Sequence, residues 1–505
     1  MKCFDIPVAD LAVYKCSSVK YSIGIVSVLM QESLQERTSR LRAAVKLLAE
    51  STEEIIQAWE SEHKPYPVDI HFGADVTSQP STGSTVPSHE LYEARRRSLG
   101  AMGVVTELVH DPRMRLAEMT MEFYESRAFH IVAEARVADL LDERDKQKGV
   151  HISELSKLTG VKEQKLARIL RTLCTVHVFR EVSDGYFANN DTSATLVNDE
   201  PFRAFLLLNS QEVYEASAKL PEVIFDPLKT NSESVLVTPF QVATGKNLSL
   251  WDWMEQPEVL EDGTLAPKPL LDRFMLAMVG AGRAQGPPLY EDYPWSQLGN
   301  GTIVDVGGGV GGMCIDLAKR YPQLKFIVQD REGVITNAPS IWQRDFPQAL
   351  EEKRVVFRQH DFFTEQPVKN AEVYNLRYIM HDWSDEECIR ILSSLRPALG
   401  PNSRILICDQ VMNKTYQPNT NSGSFNAEGS NVPHGTLAPY PLLANYGIAH
   451  RFKHFRDLNM LTTINGRERT AEEFESLAKK SGLEVVKVWE CRGIVWITEL
   501  RFCKI

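Results

Sequence analysis

The sequence has no Cys-x-x-Cys pair and no apolar run of membrane-spanning length. Its eight cysteines are scattered through apolar segments, which excludes a paired-thiolate metal centre and favours reduced thiols in an intracellular protein. The apolar run at residues 21–30 covers about half of a bilayer and has no small-residue cleavage site after it. We therefore expect a cytoplasmic protein with no metal site and no membrane anchor.

The chain also lacks an excess of positive charge. It carries 56 Lys and Arg against 67 Asp and Glu, for a net charge of −11. This argues against nucleic acid as the main partner, because phosphate binding requires clustered cations. Its 505 residues are 43% hydrophobic and 24% charged, as in ordinary globular proteins. That length is too great for one core, so we expect two or three domains.

Residues 1–88 contain one helical pattern and one linker. Apolar residues recur every three or four positions over 34–60, which predicts an amphipathic helix. Residues 75–88 are rich in Ser, Thr and Pro and predict a flexible linker. We see no catalytic pattern here and expect this extension to pack on the main body or on another subunit.

Residues 89–290 form a mostly helical region that contains a winged-helix pattern. Residues 151–160 and 162–174 predict two short helices joined by a tight turn. Residues 178–190 predict a hairpin around an Asp-Gly turn.

This pattern has two interpretations. The first is DNA binding through basic side chains of the second helix, Lys165, Arg168 and Arg171. The second is a packing module inside a larger enzyme. The acidic composition and the catalytic patterns of the C-terminal half favour the second.

Strands and helices alternate over residues 291–505. Five segments are rich in β-branched and apolar residues: 302–306, 325–329, 354–359, 373–379 and 404–410. A helix and two closing strands follow them. This alternation of strands and helices predicts an α/β domain with a Rossmann-like, mainly parallel sheet. We expect helices on both faces of the sheet and an antiparallel pair of strands at one edge. Residues 413–441 are rich in Asn, Gly, Ser and Pro and predict a mobile insertion.

A glycine-rich turn follows the first of these strands. Gly307, Gly308 and Gly309 let a ligand approach the backbone closely, and Asp305 precedes them at the strand end. Asp330 ends the next strand, where an acid suits the two hydroxyls of a ribose. These features predict an adenosine cofactor and leave NAD open beside other adenosine ligands.

The third strand ends in a carboxylate beside aromatic rings. Asp361 is followed by Phe362 and Phe363. An acid next to a flat apolar ring suits adenine, although both rings are also compatible with plain core packing.

Six segments in order carry a family resemblance: "DVGGGVGG", "VQD", "HDFF", "RYIMHDWSDEEC", "RILICDQ" and "NGRERTAEEFESLAKKSGL". Together they resemble the class I S-adenosylmethionine-dependent O-methyltransferases of the plant caffeate and flavonoid type, and especially their fungal secondary-metabolite branch. The likeness covers about residues 110–505. It implies S-adenosylmethionine as cofactor and a homodimer built by the winged-helix region.

The resemblance also assigns cofactor roles. Gly307 and its neighbours would pass the methionine part, and Asp330 would hold the ribose. Asp361 and Phe362 would bind the adenine. Arg377 stands where the family has a lysine, so the charge is kept.

The same resemblance makes His381 the general base, flanked by Asp409 and Glu468. The plant enzymes usually have Glu at the first of these acids, so the shorter Asp409 is expected to lie farther from the ring. A phenol loses its proton near pH 10, and a histidine within hydrogen-bond reach can remove that proton during attack. A carboxylate on the other ring nitrogen would fix the tautomer.

The position of His381 has a local explanation too. We predict that it ends a buried strand at the ligand-facing edge of the sheet. Ser384 and Glu387 then form a capping box that opens the next helix. A lone histidine there would be a satisfied polar residue before a cap, but the two matching acids favour catalysis.

Four further residues are candidates for the acceptor pocket: Phe274, Met278, Trp383 and Met460. An aromatic residue and a Met four positions apart on a helix are equally compatible with core packing. The expected acceptor is a hydroxyl of a small aromatic metabolite, phenol- or polyketide-like.

Three rival functions remain. Some relatives use the cofactor for dehydration or pericyclic chemistry, which loss of the histidine–carboxylate set would favour. A winged-helix DNA-binding regulator conflicts with the acidic composition. The third rival is an NAD-dependent oxidoreductase. Competition between S-adenosylhomocysteine and NAD for the cofactor site would distinguish it from a methyltransferase.

Overall fold

The computed structural model describes residues 32–62, 86–143, 147–260, 262–266, 268–416 and 435–503. The apolar run at 21–30, most of the predicted linker and most of the predicted mobile insertion lie outside these ranges. Across the described ranges, every helix is too short or too polar to cross a bilayer, and His, Cys, Asp and Glu form no group suited to a metal ion.

Helices dominate the part of the chain that precedes the large sheet. They are α1 (Leu34–Glu62), α2 (His89–Val109), α3 (Pro112–Met119), α4 (Phe123–Glu134), α5 (Val137–Asp142), α6 (Ile152–Thr159), α7 (Glu163–Thr175), α8 (Asp191–Ala194), α9 (Glu200–Leu208), α10 (Tyr214–Ser217), α11 (Leu220–Ile224), α12 (Pro239–Thr244), α13 (Leu250–Glu255), α14 (Pro269–Gln285) and α15 (Pro287–Asp292). The predicted N-terminal helix is α1, and it packs along α2. Ser88, at the end of the predicted linker, caps α2.

The winged-helix pattern is confirmed. Helix α6 ends at Gly160, whose φ of +72° is a left-handed conformation that suits glycine, and α7 follows. The short strands β1 (Val150–His151), β2 (Arg180–Ser183) and β3 (Tyr186–Ala188) form a sheet in the order β1-β3-β2. Buried leucines of α7 pack on this sheet.

The C-terminal half contains one seven-stranded sheet among the described residues. After the hairpin of β4 (Glu258–Val259) and β5 (Leu265–Ala266), the strands are β6 (Thr302–Val306), β7 (Lys325–Asp330), β8 (Val355–Gln359), β9 (Val373–Arg377), β10 (Arg404–Asp409), β11 (Val411–Met412), β12 (Arg469–Thr470), β13 (Leu483–Trp489) and β14 (Trp496–Phe502). The order in the large sheet is β13-β14-β10-β9-β6-β7-β8. Strand β14 alone runs opposite to the other six strands of this sheet, and the β13–β14 pair at its edge is the predicted antiparallel pair of a Rossmann-like fold.

Helices cover both faces of this sheet. They are α16 (Gly312–Arg320), α17 (Glu332–Ile335), α18 (Ala338–Asp345), α19 (Pro347–Glu351), α20 (Asp385–Leu395), α21 (Arg451–Ile464) and α22 (Ala471–Lys480). Central strand residues such as Val304, Leu376 and Leu406 are fully enclosed, as a doubly covered parallel sheet requires. The chain moves outward from β6 to β8 and then returns to β9, so the carboxyl ends of β6 and β9 form a topological switch point.

The predicted end of the strand before the histidine is wrong. Strand β9 ends at Arg377 rather than at residue 379, because Tyr378 takes a left-handed φ of +56°. A short 3-10 turn, Met380–Asp382, follows. His381 therefore lies in a turn four residues beyond the strand, not at the strand end.

Candidate active site

The glycine turn lies at the switch point, between β6 and α16. Gly307 and Gly309 have φ of +69° and +61°, which favour glycine. The Gly308 N–H donates to the Gln329 carbonyl at 3.0 Å, and the Gly309 N–H donates to Asp330 Oδ2 at 2.8 Å. The turn and the end of β7 are thus fixed to each other.

The turn also contacts the segment that carries the histidine. A Cβ added at Gly307 would lie 2.6 Å from Ile379 Cδ1 and 3.4 Å from Phe362 Cε1. The positive φ favours glycine at this position, and a side chain there would displace the end of the Ile379 side chain. Ile379 is two residues before His381, so the candidate cofactor turn and the candidate base are neighbours.

Asp305 and Asp330 occupy different positions around the turn. Asp305 is buried beneath it, where Oδ1 accepts from Asn375 Nδ2 at 2.8 Å and Oδ2 accepts from Cys314 Sγ at 3.2 Å. Burial raises the pKa of Asp305 and also that of Asp330. Asp330 is half-buried at the rim.

The outer side of the turn is open. A Cβ at Gly309 or Gly312 would meet no described atom within 4 Å, so protein packing does not account for the absence of side chains there. The space is suited to a ligand that approaches the backbone and the free N–H groups of α16.

Three aromatic rings lie beside this turn. Ring centroids are 4.9 Å apart for Phe362 and Phe363, 6.0 Å for Phe362 and Trp383, and 4.9 Å for Phe363 and Trp383. Asp361 is exposed next to them and accepts from the Phe363 N–H at 3.0 Å. Trp383, predicted for the acceptor pocket, thus lies with the rings predicted for adenine.

The imidazole of His381 contacts a carboxylate at each nitrogen. Nδ1 lies 2.9 Å from Glu468 Oε1, and Nε2 lies 3.2 Å from Asp382 Oδ1. Asp409 contacts the backbone instead, where its Oδ2 accepts from the His381 N–H at 3.2 Å. The shorter Asp409 therefore does not contact the imidazole ring, as its length suggested. Asp382, which does contact the ring, was not predicted from the sequence.

Glu468 is itself fixed in place. Its side chain is fully enclosed, Oε1 accepts from Gln410 Nε2 at 3.1 Å, and its N–H donates to Asp457 Oδ1 at 2.8 Å. The N–H of Arg467 donates to the His381 carbonyl at 2.9 Å. Two adjacent residues thus hold the backbone and the ring of the histidine.

Three acids around one histidine shift its proton affinity. Burial alone would lower the pKa of His381, but Glu468, Asp382 and Asp409 outweigh it and raise the pKa to about 10. Burial also raises the pKa of Asp382, to about 6, although His381 opposes the change. The imidazole is consequently a strong base near the pKa of a phenol, about 10.

Tyr378 and Arg377 add contacts that the sequence did not reveal. The Tyr378 ring stacks on the His381 ring with centroids 5.4 Å apart and planes 19° apart, and its hydroxyl hydrogen-bonds Gln285 of α14. The Arg377 guanidinium lies 5.1 Å from the Tyr378 centroid. Its Nε and Nη2 are buried and have no hydrogen-bond partner among the described residues, so a ligand atom could satisfy them.

The other predicted acceptor residues separate into two groups. Phe274 packs against Trp251 at 5.5 Å in a helical cluster, and Met278, on the same helix, is 38% exposed. Met460 is buried near the base. Its carbonyl accepts from the Gly466 N–H at 3.1 Å, and a Cβ at Gly466 would collide with the His381 carbonyl.

Comparisons with known proteins show the family of this chain. The chain matches the O-methyltransferase dimerisation domain over residues 117–199 and the O-methyltransferase domain over residues 290–427. It is 40% identical to O-methyltransferase gedA of Aspergillus terreus, across 91% of this chain and 96% of the relative.

Two solved structures extend the comparison. CalO1, a methyltransferase in calicheamicin biosynthesis solved in its SAH-bound form, is 25% identical with a TM-score of 0.59, covering 78% of this chain and all of that one. A pericyclic reaction enzyme is 19% identical with a TM-score of 0.61, covering 91% of this chain and all of the other; at that identity the likeness concerns the fold alone.

Proposed function

This chain belongs to the S-adenosylmethionine-dependent O-methyltransferases, and we propose that His381 is its general base, acting on a hydroxyl of a small aromatic acceptor. The observation that carries the proposal is the contact of His381 Nδ1 with Glu468 at 2.9 Å, next to the glycine turn. Glu468 holds the ring and stabilises the imidazolium that proton removal creates.

The cofactor residues fit S-adenosylmethionine. The open backbone of Gly307–Gly309 would receive its methionine part, and Asp330 would accept from the ribose hydroxyls. Asp361 would bind the adenine edge, with the base lying against the ring of Phe362. The buried, unpartnered guanidinium atoms of Arg377 suit a ligand oxygen.

The residues of this chain would remove the proton from the acceptor hydroxyl. When bound, S-adenosylmethionine supplies an electrophilic methyl group. His381 in its neutral form takes the hydroxyl proton through Nε2, and a pKa raised to about 10 makes that form more abundant as the pH rises. Tyr378 covers one face of the imidazole, and the Met460 carbonyl of α21 accepts from Gly466, which packs against the His381 carbonyl. These contacts would place the acceptor oxygen in line with the donor.

The alternative, cofactor-assisted dehydration or rearrangement, gains no support from the site. Loss of the histidine–carboxylate set would favour such chemistry, and the His381–Glu468 pair is intact. Methyl transfer therefore explains more of the geometry.

The assembly belongs to the same proposal. Six large apolar side chains are between 43% and 66% exposed on a segment that overlaps the matched dimerisation domain: Met114, Leu116, Met119, Met121, Phe123 and Tyr124. We propose that a second copy of the chain covers them, because such a patch is rarely left in water.

A labelling experiment tests the reaction. The enzyme is incubated with ¹³C-methyl S-adenosylmethionine and a panel of phenols, including orcinol and 1,3-dihydroxynaphthalene, and products are analysed by mass and by carbon NMR. We expect label at a phenolic oxygen with wild type and with His89→Ala, a control at an exposed histidine. His381→Ala should bind the cofactor and transfer no detectable label. Transfer to carbon or nitrogen would contradict the proposal, as would undiminished transfer by His381→Ala.

A further inference from the structure

The backbone of His381 is held more firmly than its ring. The N–H donates to Asp409 Oδ2 at 3.2 Å, and the carbonyl accepts from the Arg467 N–H at 2.9 Å. Among the described residues the ring itself makes one hydrogen bond, from Nδ1 to Glu468. One such bond leaves the imidazole free to tilt about the contact, so the direction of Nε2 depends on what packs against the faces of the ring.

Tyr378 supplies such a packing face. Its ring centroid lies 5.4 Å from that of the imidazole, and the two planes are 19° apart, an offset-stacked arrangement that aromatic rings favour. A nearly parallel ring at this distance limits the tilt of the imidazole toward it. The stack and the Nδ1 hydrogen bond together therefore define both the plane and the direction of the base.

Tyr378 is itself fixed by contacts with two other elements. Its N–H donates to the Cys408 carbonyl of β10 at 3.2 Å, and its hydroxyl donates to Gln285 Oε1 at the end of α14. Its φ of +56° is left-handed, a conformation that a bulky side chain rarely adopts. Strain of this kind persists where the surrounding structure holds it, and it is common at functional sites.

The bond to Gln285 also connects the base to the acceptor side of the site. Helix α14 carries Phe274 and Met278 before it ends at Gln285. The ring that packs on the base is thus hydrogen-bonded to the helix that carries two predicted acceptor residues.

We propose that Tyr378 is a positioning residue of this active site, an inference that rests on the proposed role of His381. The Tyr378 ring sets the plane of the imidazole, and Gln285 sets the position of the Tyr378 ring. Nε2 then points at the acceptor hydroxyl instead of sampling several directions. Tyr378 itself exchanges no proton and no methyl group with the acceptor.

An NMR measurement tests the positioning without an acceptor. Protein is labelled with ¹⁵N-histidine and bound to S-adenosylhomocysteine, and His381→Ala assigns the signal of the base. We expect one sharp imidazole signal in wild type and in Tyr378→Phe, which keeps the flat ring. Tyr378→Leu removes that ring, so the signal should broaden or split as the imidazole takes more than one orientation.

Single-turnover methyl transfer provides the second readout. With a phenol that wild type methylates, Tyr378→Leu should be about tenfold to hundredfold slower at unchanged cofactor affinity, because misplaced reacting groups lose rate. Tyr378→Phe and Gln285→Leu should each be about threefold slower, and the double variant should be no slower than either, since both changes remove one shared bond. Tyr186→Leu is the matched control, because that ring lies 4.9 Å from His151 outside the active site.

The pH dependence separates positioning from a purely structural role. A phenol ionises without help near pH 10, and a phenolate needs no base. The difference in rate between wild type and Tyr378→Leu should therefore narrow as the pH is raised from about 7 to about 10. A structural defect would give the same difference at every pH.

The outcomes also separate this inference from the proposed function. One sharp imidazole signal in Tyr378→Leu, or a difference in rate that does not change with pH, would overturn the positioning role and leave His381 as base. If Tyr378→Leu does not fold, wild-type rates in both Tyr378→Phe and Gln285→Leu would overturn it. Undiminished methyl transfer by His381→Ala would overturn the base itself, and the positioning role with it.

Discussion

At the scale of residues, Glu468 determines both the orientation and the charge of His381. Its carboxylate is enclosed and accepts from Gln410 as well as from the ring. Among the nearby negative charges, the charge of Glu468 does most to raise the pKa of His381, which reaches about 10.

Glu468→Gln should move the pH profile of the enzyme. Neutral imidazole is the active form of a base, so kcat/KM should rise with pH up to the pKa of His381. Removing the negative charge lowers that pKa, so the rise should begin at lower pH and reach a lower plateau. Steady-state kinetics between pH 6 and 10 measure the shift, with Glu386→Gln, at an exposed acid on α20, as control. An unmoved acid limb would show that Glu468 does not set the charge of the base.

The sequence predicted some of these residues and missed others for a physical reason. His381 and Glu468 were found through motif resemblance, and the structure brings them together. Asp382 and Tyr378 were missed because their roles depend on a left-handed residue and a 3-10 turn. Hydrophobic periodicity does not encode such a bend.

At the scale of elements, the helix start after the histidine behaves as the sequence indicated. Ser384 and Glu387 form the predicted capping box at the start of α20. Arg469 adds to it by donating to the carbonyls of Met380 and Trp383 at 2.6 and 2.7 Å. The capping box could be predicted from the sequence because it depends only on two residues three positions apart.

Ser384→Ala should destabilise the protein without changing the reaction. Loss of the cap removes a hydrogen bond to an unsatisfied helix N–H and should cost about 1 kcal/mol of unfolding free energy. Urea titration measures it, with Ser340→Ala as control, since that exposed side chain lies inside α18 and caps nothing. A loss no larger than in the control would show that the box is not stabilising.

At the scale of the whole molecule, the sequence predicted a sheet covered by helices but not the order of the strands within that sheet. Alternating strands and helices implied a parallel sheet, and turn residues implied a winged helix. The order of strands depends on long-range pairing, which one-dimensional patterns do not specify. The division at residues 88 and 290 remains a prediction, which limited proteolysis would test.

The structure also shows what the N-terminal extension packs against. Helix α1 packs on α2, and α2 contacts the segment that leads into α21 through Ala101, Leu442 and Tyr446. The extension therefore packs on the main body, one of the two arrangements expected from its helical pattern.

Leu116→Glu combined with Met119→Glu should separate the proposed dimer. Two charges placed in a buried apolar interface are costly, so light scattering should give half the wild-type mass. Leu34→Glu, at an 81% exposed site on α1, is the matched control and should stay dimeric. Mass equal to one chain in wild type would contradict the proposed assembly.

The most direct test of the account is the single-turnover rate of methyl transfer at saturating S-adenosylmethionine, compared between wild type and His381→Ala. We predict equal cofactor affinity and a rate about 10²–10⁴-fold lower in the variant, the usual contribution of a general base. A rate within about threefold of wild type would contradict the assignment of His381 as the group that takes the acceptor proton.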